Sequence, residues 1–471
     1  MRDKKTLTIV LASVVVLASA VFLLGTKTSK QRRSPNVIFI VVDALRPDHL
    51  GCYGYKRPTS PGIDDFAREG VLFENAFASG SQTMMSVPSI LTSLYPDTLN
   101  ILENGASLSD KFMTLPGILA KNGYRTAAFT GPQLRSIGSL SSHFHAYESI
   151  SPGRGADNGD ATQSILSKAT SWIQDGSGEP FFLYMHFLRV HSPYCRPPCA
   201  RDRFWKEEIT PEMEDMAKRF HYTKGYDARK NGIKPDARMV DFLVSLYDAD
   251  INYIDGRIER FFAFLKEAGL TDNTLIVLLS DHGEELNDRG DFFHGKTLYD
   301  EQIRVVLVMR FPKALPQGKR VTELVSLVDV MPTVLDILRI EYNTETQGRS
   351  ILGMVAGLDP LPELESFSEL KYGTHKAIRT KRWKLLARDD GRGVPEPVEL
   401  YDLQDDPGER VNVLEKYPVE SQQLVLRLRD HTRECLDLRA RLLGRGPEAE
   451  AQQVRLTEED RDILKSLGYI Q

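Results

Sequence analysis

Residues 81–96, SQTMMSVPSILTSLYP, carry three small hydroxyl side chains, Thr83, Ser86 and Ser89, ahead of an apolar run that reads as a helix. At a helix start a hydroxyl oxygen can face a ligand while sitting in the field of the first-turn amides. Each is therefore a candidate nucleophile as well as a candidate cap. Elsewhere Asp43 closes one apolar run. The pair Asp281-His282 closes another, with Glu284 and Glu285 just behind. Carboxylates bring charge to a divalent cation, and an imidazole beside them favours Mn2+, Zn2+ or Fe2+ over a pure calcium site. Taken singly, Asp43 and Asp281 read equally well as helix caps or turn residues. Taken together, both at strand ends, they read as metal ligands.

The elements that must carry these residues are visible as alternating patterns. NVIFIVV (36–42), YRTAAFTG (124–131), PFFLYMHF (180–187), TLIVLL (274–279) and RVVLVMRFP (304–312) are continuous apolar, β-branched runs, the mark of strands buried on both faces. Helical patterns fall between them, at 115–122 and at 246–265 with Ile251, Ile254, Ile258, Phe261 and Phe262 in phase. VSLVDVMPTVLDIL (325–338) reads as strand-free and as helix after Val328. Strands alternating with helices imply an α/β fold with a parallel sheet covered on both faces, and ligands in such folds gather beyond the carboxyl ends of the strands. Asp43, His186, His191, Asp281 and His282 all fall at that end. His186 lies on the strand side, where a structural role and a site role stand level. HKAIRTKRWKLLAR (375–388) and PVELYDLQDDPGE (397–409) read as short antiparallel strands with a turn at Asp406-Pro407-Gly408. A charged insertion at 194–239 is a candidate lid.

Composition excludes little. The chain has 471 residues, 41% hydrophobic, with a formal net charge of −5, which suits a large α/β enzyme and gives no sign of a nucleic-acid partner. Of four cysteines, Cys195 and Cys199 sit in CRPPC, close enough to pair in an oxidising compartment; free thiols are the other reading. Residues 7–25 form an uncharged, mostly apolar run between a basic start and TKTSKQRR. It is long enough to cross a bilayer, and an uncleaved membrane anchor is favoured over a signal peptide. The expected localisation is therefore membrane-anchored or exported, with the globular part outside the cytoplasm.

The blocks NVIFIVVDALRPDHLGCYGYKRPTSPGIDDFAREGVLFENAFA, SDHGEELND, HGKTLYDEQIRV, LVSLVDVMPTVLDIL and ELYDLQDDPGE, in this order, resemble the sulfatase family within the alkaline phosphatase superfamily. The resemblance implies an alkaline-phosphatase-like central mixed sheet flanked by helices and a smaller C-terminal antiparallel sheet. The expected division is 1–33 as anchor or signal, 34–359 as catalytic domain, 360–434 as the small sheet and 435–471 as a helical tail. It also implies a metal-activated nucleophile at a helix start. Laying SILTSLYP (89–96) on the end of the family's C/S-x-P-S-R-A-S-L-L-T-G-L-Y-P pattern without a gap puts the nucleophile on Thr83. The local Ser86-Val87-Pro88-Ser89 then reads as helix-start chemistry with Pro88 in the first turns. Matching positions assign His191, His294 and Lys296 to the transferred group, and Asp43, Thr83, Asp281 and His282 to one divalent ion.

The departures from the pattern matter. The usual Asp-Asp is Asp43-Ala44, the usual Asp-Asn is Asp281-His282, and the arylsulfatase Gly-Lys-Trp-His block lacks its Lys. They favour Mn2+ or Zn2+, with Ca2+ the remaining candidate. The implied function is hydrolysis of sulfate, phosphate or phosphonate esters of a small molecule, glycan or lipid through a covalent threonine intermediate, since threonine cannot become formylglycine. Transfer of a phospho-alcohol group to a cell-envelope acceptor and a non-catalytic scaffold are the rival readings.

Overall fold

The structure is a computed structural model describing residues 34–101, 107–151, 161–176, 178–196, 198–222, 235–357, 364–370, 373–389 and 394–444, with 458, 461 and 462. The expected anchor at 1–33 lies outside these residues. Among the described residues no helix is long and apolar enough to cross a membrane. The compact unit considered below begins at Asn36.

Eight strands build the main sheet: β1 (Asn36–Val42), β2 (Val71–Phe77), β3 (Arg125–Thr130), β4 (Ala146–Ser149), β5 (Phe181–Phe187), β6 (Thr274–Leu279), β7 (Leu307–Arg310) and β8 (Lys319–Ser326). Their order is β8-β2-β7-β6-β1-β5-β3-β4, with a ninth short strand, Arg304–Val305, against β2. The five strands from β6 to β4 run parallel, but β7 is antiparallel to both β6 and β2. The parallel sheet expected from strand–helix alternation alone is therefore corrected, and the sheet is the mixed one that the family resemblance implies. Parallel neighbours need a long crossover, usually a helix. The link from β6 to β7 is spent on loops at the strand ends instead, so the chain returns beside β6 in the opposite direction. RVVLVMRFP accordingly divides at Val306 into two strands. VSLVDVMPTVLDIL is likewise not strand-free: Val325 and Ser326 finish β8 before the helix Val330–Leu338.

Side-chain alternation sorts the two faces. Val37, Phe39, Val41, Phe182, Tyr184, Leu275, Val277 and Leu279 share a core with helix α1 (Thr83–Thr92). Ile38, Ile40, Val42, Leu183, Met185, Ile276 and Leu278 pack on the long helix α2 (Ala237–Glu267), which starts earlier than its pattern suggests because Asp236 caps the Met239 amide. The described part of the 194–239 insertion docks here too, with Trp205 against Phe242 at 5.3 Å. Strands β9 (Ser366–Glu369), β10 (His375–Arg379), β11 (Trp383–Arg388) and β12 (Glu396–Asp402) form an antiparallel meander. Helix α3 (Pro418–Leu443) covers it with Leu424, Val425 and Leu428. The expected boundary between 434 and 435 falls inside α3, whose apolar face needs its full length.

Candidate active site

Sheet register brings the chemistry together. Val41 of β1 pairs with His186 of β5 on one side and with Leu279 of β6 on the other. Asp43 and Asp281 each lie two residues further on, so the alternation that points Phe39, Val41, Val277 and Leu279 at the α1 side continues into both carboxylates. His186 follows Phe182 and Tyr184 in the same phase. Asp43, His186 and Asp281 are fully buried, and their ligand atoms lie within 4.8 Å of one another. His186 Nε2 stands 3.7 Å from Asp43 Oδ2 and 3.7 Å from Asp281 Oδ2. His282 Nε2 stands 3.4 Å from Asp43 Oδ1 and 3.7 Å from Asp281 Oδ2. The turns behind these residues are tightly set. Tyr247 of α2 donates to the Ala44 carbonyl at 2.7 Å, where Ala44 has a positive φ of 59°, and any side chain at Gly283 would run into the Glu301 carbonyl.

From the other side comes the start of α1. Thr83 is its first residue, and Thr83 Oγ1 lies 3.3 Å from Asp43 Oδ2 and 3.2 Å from His282 Nε2. The neighbouring hydroxyls are occupied locally. Ser86 donates to the Gly80 carbonyl at 2.8 Å, Ser89 to Met85 at 2.9 Å and Thr92 to Pro88 at 2.7 Å. Pro88 is inside the helix, in its second turn, and not at its start as the sequence suggests. Packing makes this tolerable: every residue of α1 is buried, so tertiary contacts offset the missing N–H.

His294 and His191 line the next layer. Their ring centroids are 4.9 Å apart, and the His294 ring is 4.2 Å from that of His282. His294 Nδ1 faces Glu284 Oε2 at 3.3 Å. Lys296 is not brought into this group by any described hydrogen bond. Its Nζ lies 2.8 Å from Asp291 Oδ2, although its charge is felt by His294. Sequence reasoning left His186 open and gave Glu284 no role of its own. The Phe182-Tyr184-His186 alternation, matched to Val37-Phe39-Val41-Asp43, is the signal that would have placed His186.

The electrostatics are those of a crowded acidic pocket. Burial opposes ionisation of Asp43, but the His186 ring beside it and the fields of His191 and His282 hold its pKa well below the usual range. Burial, with the charge of Asp43, raises Asp281. Burial would lower His282, yet the two carboxylates raise it. Burial takes His191 down to about 4 and pushes Glu284 up to about 7.

Two observations test whether these residues suit a cation. His282 Nδ1 lies 2.9 Å from the Gly283 carbonyl, an acceptor, so Nδ1 carries a proton and Nε2 is the ring atom turned to the two carboxylates. Buried His186 Nε2 and Asp281 Oδ2 have no hydrogen-bond partner among the described residues. Carboxylate oxygens and imidazole nitrogens converging on one point beside the Thr83 hydroxyl fit a divalent ion with mixed nitrogen and oxygen ligands.

The sequence and the fold both resemble those of known proteins. Residues 35–340 match the Sulfatase family, and residues 289–435 match the N-sulphoglucosamine sulphohydrolase C-terminal family. The N-acetylglucosamine-6-O-sulfatase of Bacteroides thetaiotaomicron is 23% identical, with 90% of this chain and 91% of the relative covered. A phosphonate monoester hydrolase from Silicibacter pomeroyi superposes with a TM-score of 0.71 at 22% identity, covering 86% of this chain and 96% of its own. A structure solved in complex with its substrate, D-glucosamine-2-N,6-O-disulfate, gives 0.67 at 22% identity, covering 86% and 99%. With its family match running through every strand of the main sheet and both carboxylate turns, the chain belongs to the sulfatase family and is a sulfatase-like hydrolase.

Proposed function

We propose that the chain hydrolyses sulfate, phosphate or phosphonate esters at a site where Thr83 is the nucleophile and Asp43, His186, Asp281 and His282 hold one divalent cation, Mn2+ or Zn2+ in preference to Ca2+. The observation that carries the reading is the selective orientation of hydroxyls on α1. Ser86, Ser89 and Thr92 bond to nearby carbonyls, and Thr83 alone meets Asp43 and His282. The bound cation would act as a Lewis acid toward the hydroxyl and the transferred group.

The chain's own groups do the rest. Thr83 Oγ forms a bond to sulfur or phosphorus, its proton passing by way of Asp43, with which it is hydrogen-bonded, to the departing alcohol oxygen. The ester bond to the alcohol breaks and the alcohol leaves with a proton. Water then displaces Thr83 from sulfur or phosphorus, restoring the hydroxyl and releasing the inorganic acid. His191 and His294 exchange protons with the alcohol and the water, and the first amides of α1 face the non-bridging oxygens.

Threonine has no elimination route of the kind a formylglycine hydrate offers, so release requires attack on sulfur or phosphorus itself. Phosphorus esters are therefore expected to turn over at least as well as sulfate esters. The likeness to both a sulfatase and a phosphonate monoester hydrolase supports keeping both substrate classes. A panel of aryl sulfate, phosphomonoester, phosphodiester and phosphonate monoester, run with Mn2+, tests this. Thr83→Ala should abolish turnover while leaving the fold intact, since a helix-start hydroxyl contributes only ~1 kcal/mol. Ser86→Ala should retain most activity. An inactive Ser86→Ala beside an active Thr83→Ala overturns the assignment. Release of alcohol without release of inorganic anion would favour the transferase alternative.

A further inference from the structure

The loop after β5 carries His191, and two arginines tie it in place. Arg196 donates from Nη1 to the Leu188 carbonyl at 3.1 Å, and from Nη2 to the carbonyls of His191 at 3.2 Å and Ser192 at 3.1 Å. Arg189, fully buried, donates from Nη2 to the carbonyls of Arg196 at 2.5 Å and Pro198 at 2.8 Å. Its Nε meets Asp250 Oδ1 at 2.6 Å, and its guanidinium lies 4.0 Å over the Tyr253 ring, both on α2. Asp250 Oδ2 accepts from the Cys195 amide at 2.5 Å, and Cys195 is bonded to Cys199, as CRPPC suggests for an oxidising compartment. The Ser192 carbonyl also faces His191 Nδ1 at 2.5 Å. A carbonyl only accepts, so His191 Nδ1 bears the proton in this arrangement.

We propose that Arg196 is a positioning residue for His191: by holding the Ser192 and His191 carbonyls it selects the Nδ1-protonated imidazole and leaves Nε2 as the proton-accepting atom, while Arg189 and Asp250 anchor this clamp to α2. The planar guanidinium can span three carbonyls at once, which the single ammonium of lysine cannot. The catalytic consequence rests on the reading of His191 as a group at the transferred ester; the selection of the imidazole form does not.

The test uses the full chain, with histidine labelled by 15N and the His191 signals identified from their loss in His191→Gln. Long-range 1H–15N spectra distinguish the two neutral imidazole forms. In the wild type, His191 should show protonated Nδ1 and unprotonated Nε2. Arg196→Gln should mix the two forms and lower kcat about tenfold, a part of what a general base contributes, with KM within about twofold. Arg196→Lys should fall between. Should Arg196→Gln prove unfolded by circular dichroism, Arg196→Lys and Asp250→Asn carry the same comparison. Unchanged His191 signals in a folded Arg196 variant, or a wild type with protonated Nε2, overturn the clamp. A mixed imidazole in the variant with kcat unchanged sustains the clamp and overturns the proton-transfer role of His191.

Discussion

Two buried groups of charges in this molecule are built on opposite plans. At the strand ends, Asp43 and Asp281 face imidazoles and a hydroxyl at 3.3–3.7 Å, and Asp281 also accepts the His282 amide at 3.0 Å. Between the C-terminal sheet and the loop after His294, charges alternate. Lys384 Nζ lies 2.8 Å from Asp300 and 2.5 Å from Glu409, Arg379 meets Asp300 at 2.8 Å, and Arg289 reaches Glu409 at 3.4 Å and Glu301 at 2.6 Å. Burial opposes the charge on Asp300, but Arg379 and Lys384 hold its pKa low. Charges taken out of water must be paired or must bind an ion. The second group satisfies that rule with side chains and so acts as a fastener. The first answers its carboxylates with imidazoles and a hydroxyl, groups that can also ligate an ion.

The largest effect is expected from breaking the carboxylate–imidazole group. Asp43→Asn should cost activity on the order of 10,000-fold, because groups that act as a unit lose nearly everything together. With metal chelated, the variant should still fold but be less stable than the wild type, because the imidazoles that hold the Asp43 pKa low favour its charged form in the folded chain. A variant that unfolds instead would make Asp43 a structural residue. Breaking the paired group should do the reverse. Lys384→Met leaves Asp300 and Glu409 without a buried cation and should destabilise by roughly 3–5 kcal/mol, read from the denaturant midpoint. A loss below about 1 kcal/mol would show that Arg379 and Arg289 suffice. A cation effect of a third size separates the two groups. Metal added at about a hundred times its Kd should stabilise the wild type by ~2.7 kcal/mol. Lys384→Met should keep that increment and Asp43→Asn should lose it.

How much of this the sequence reveals depends on the range of the cause. Asp43, Asp281 and His282 are legible because each closes an apolar strand, a local pattern. Thr83 is legible only through the resemblance of 89–96 to a family motif, since Ser86 and Ser89 look identical locally. What distinguishes them is the backbone each hydroxyl meets, and that is set by α1 as folded. His186 needed the register of β5 against β1, a contact across 145 residues between Val41 and its partner. Lys296 matched by position, yet its ammonium is turned to Asp291. The antiparallel β7 escaped because alternation reports burial and not strand direction. The Lys384 fastener joins segments far apart in the chain, and no local pattern marks it.

The smallest effect concerns a carboxylate that belongs to neither plan. Asp329 precedes the helix Val330–Leu338, and its oxygens accept the amides of Ser326 and Arg349, each at 2.9 Å. Burial takes its pKa up to about 6, with the two amides and the field of Arg349 pulling the other way. The sign follows from which state holds the proton more tightly. The folded chain does, so the contribution is complete below the ordinary carboxyl value near 3.8 and is lost as pH rises through about 6. Asp329→Asn cannot titrate. Compared with this variant, the wild type should gain relative stability on going from pH 7 to pH 4.5, and at pH 7 the two should differ by no more than about 1 kcal/mol, the usual size of a capping effect. Denaturant midpoints of both proteins at the two pH values measure the difference. If the wild type loses ground to Asp329→Asn on acidification, the buried Asp329 is held charged, and two amides with a nearby arginine are enough to replace a paired cation.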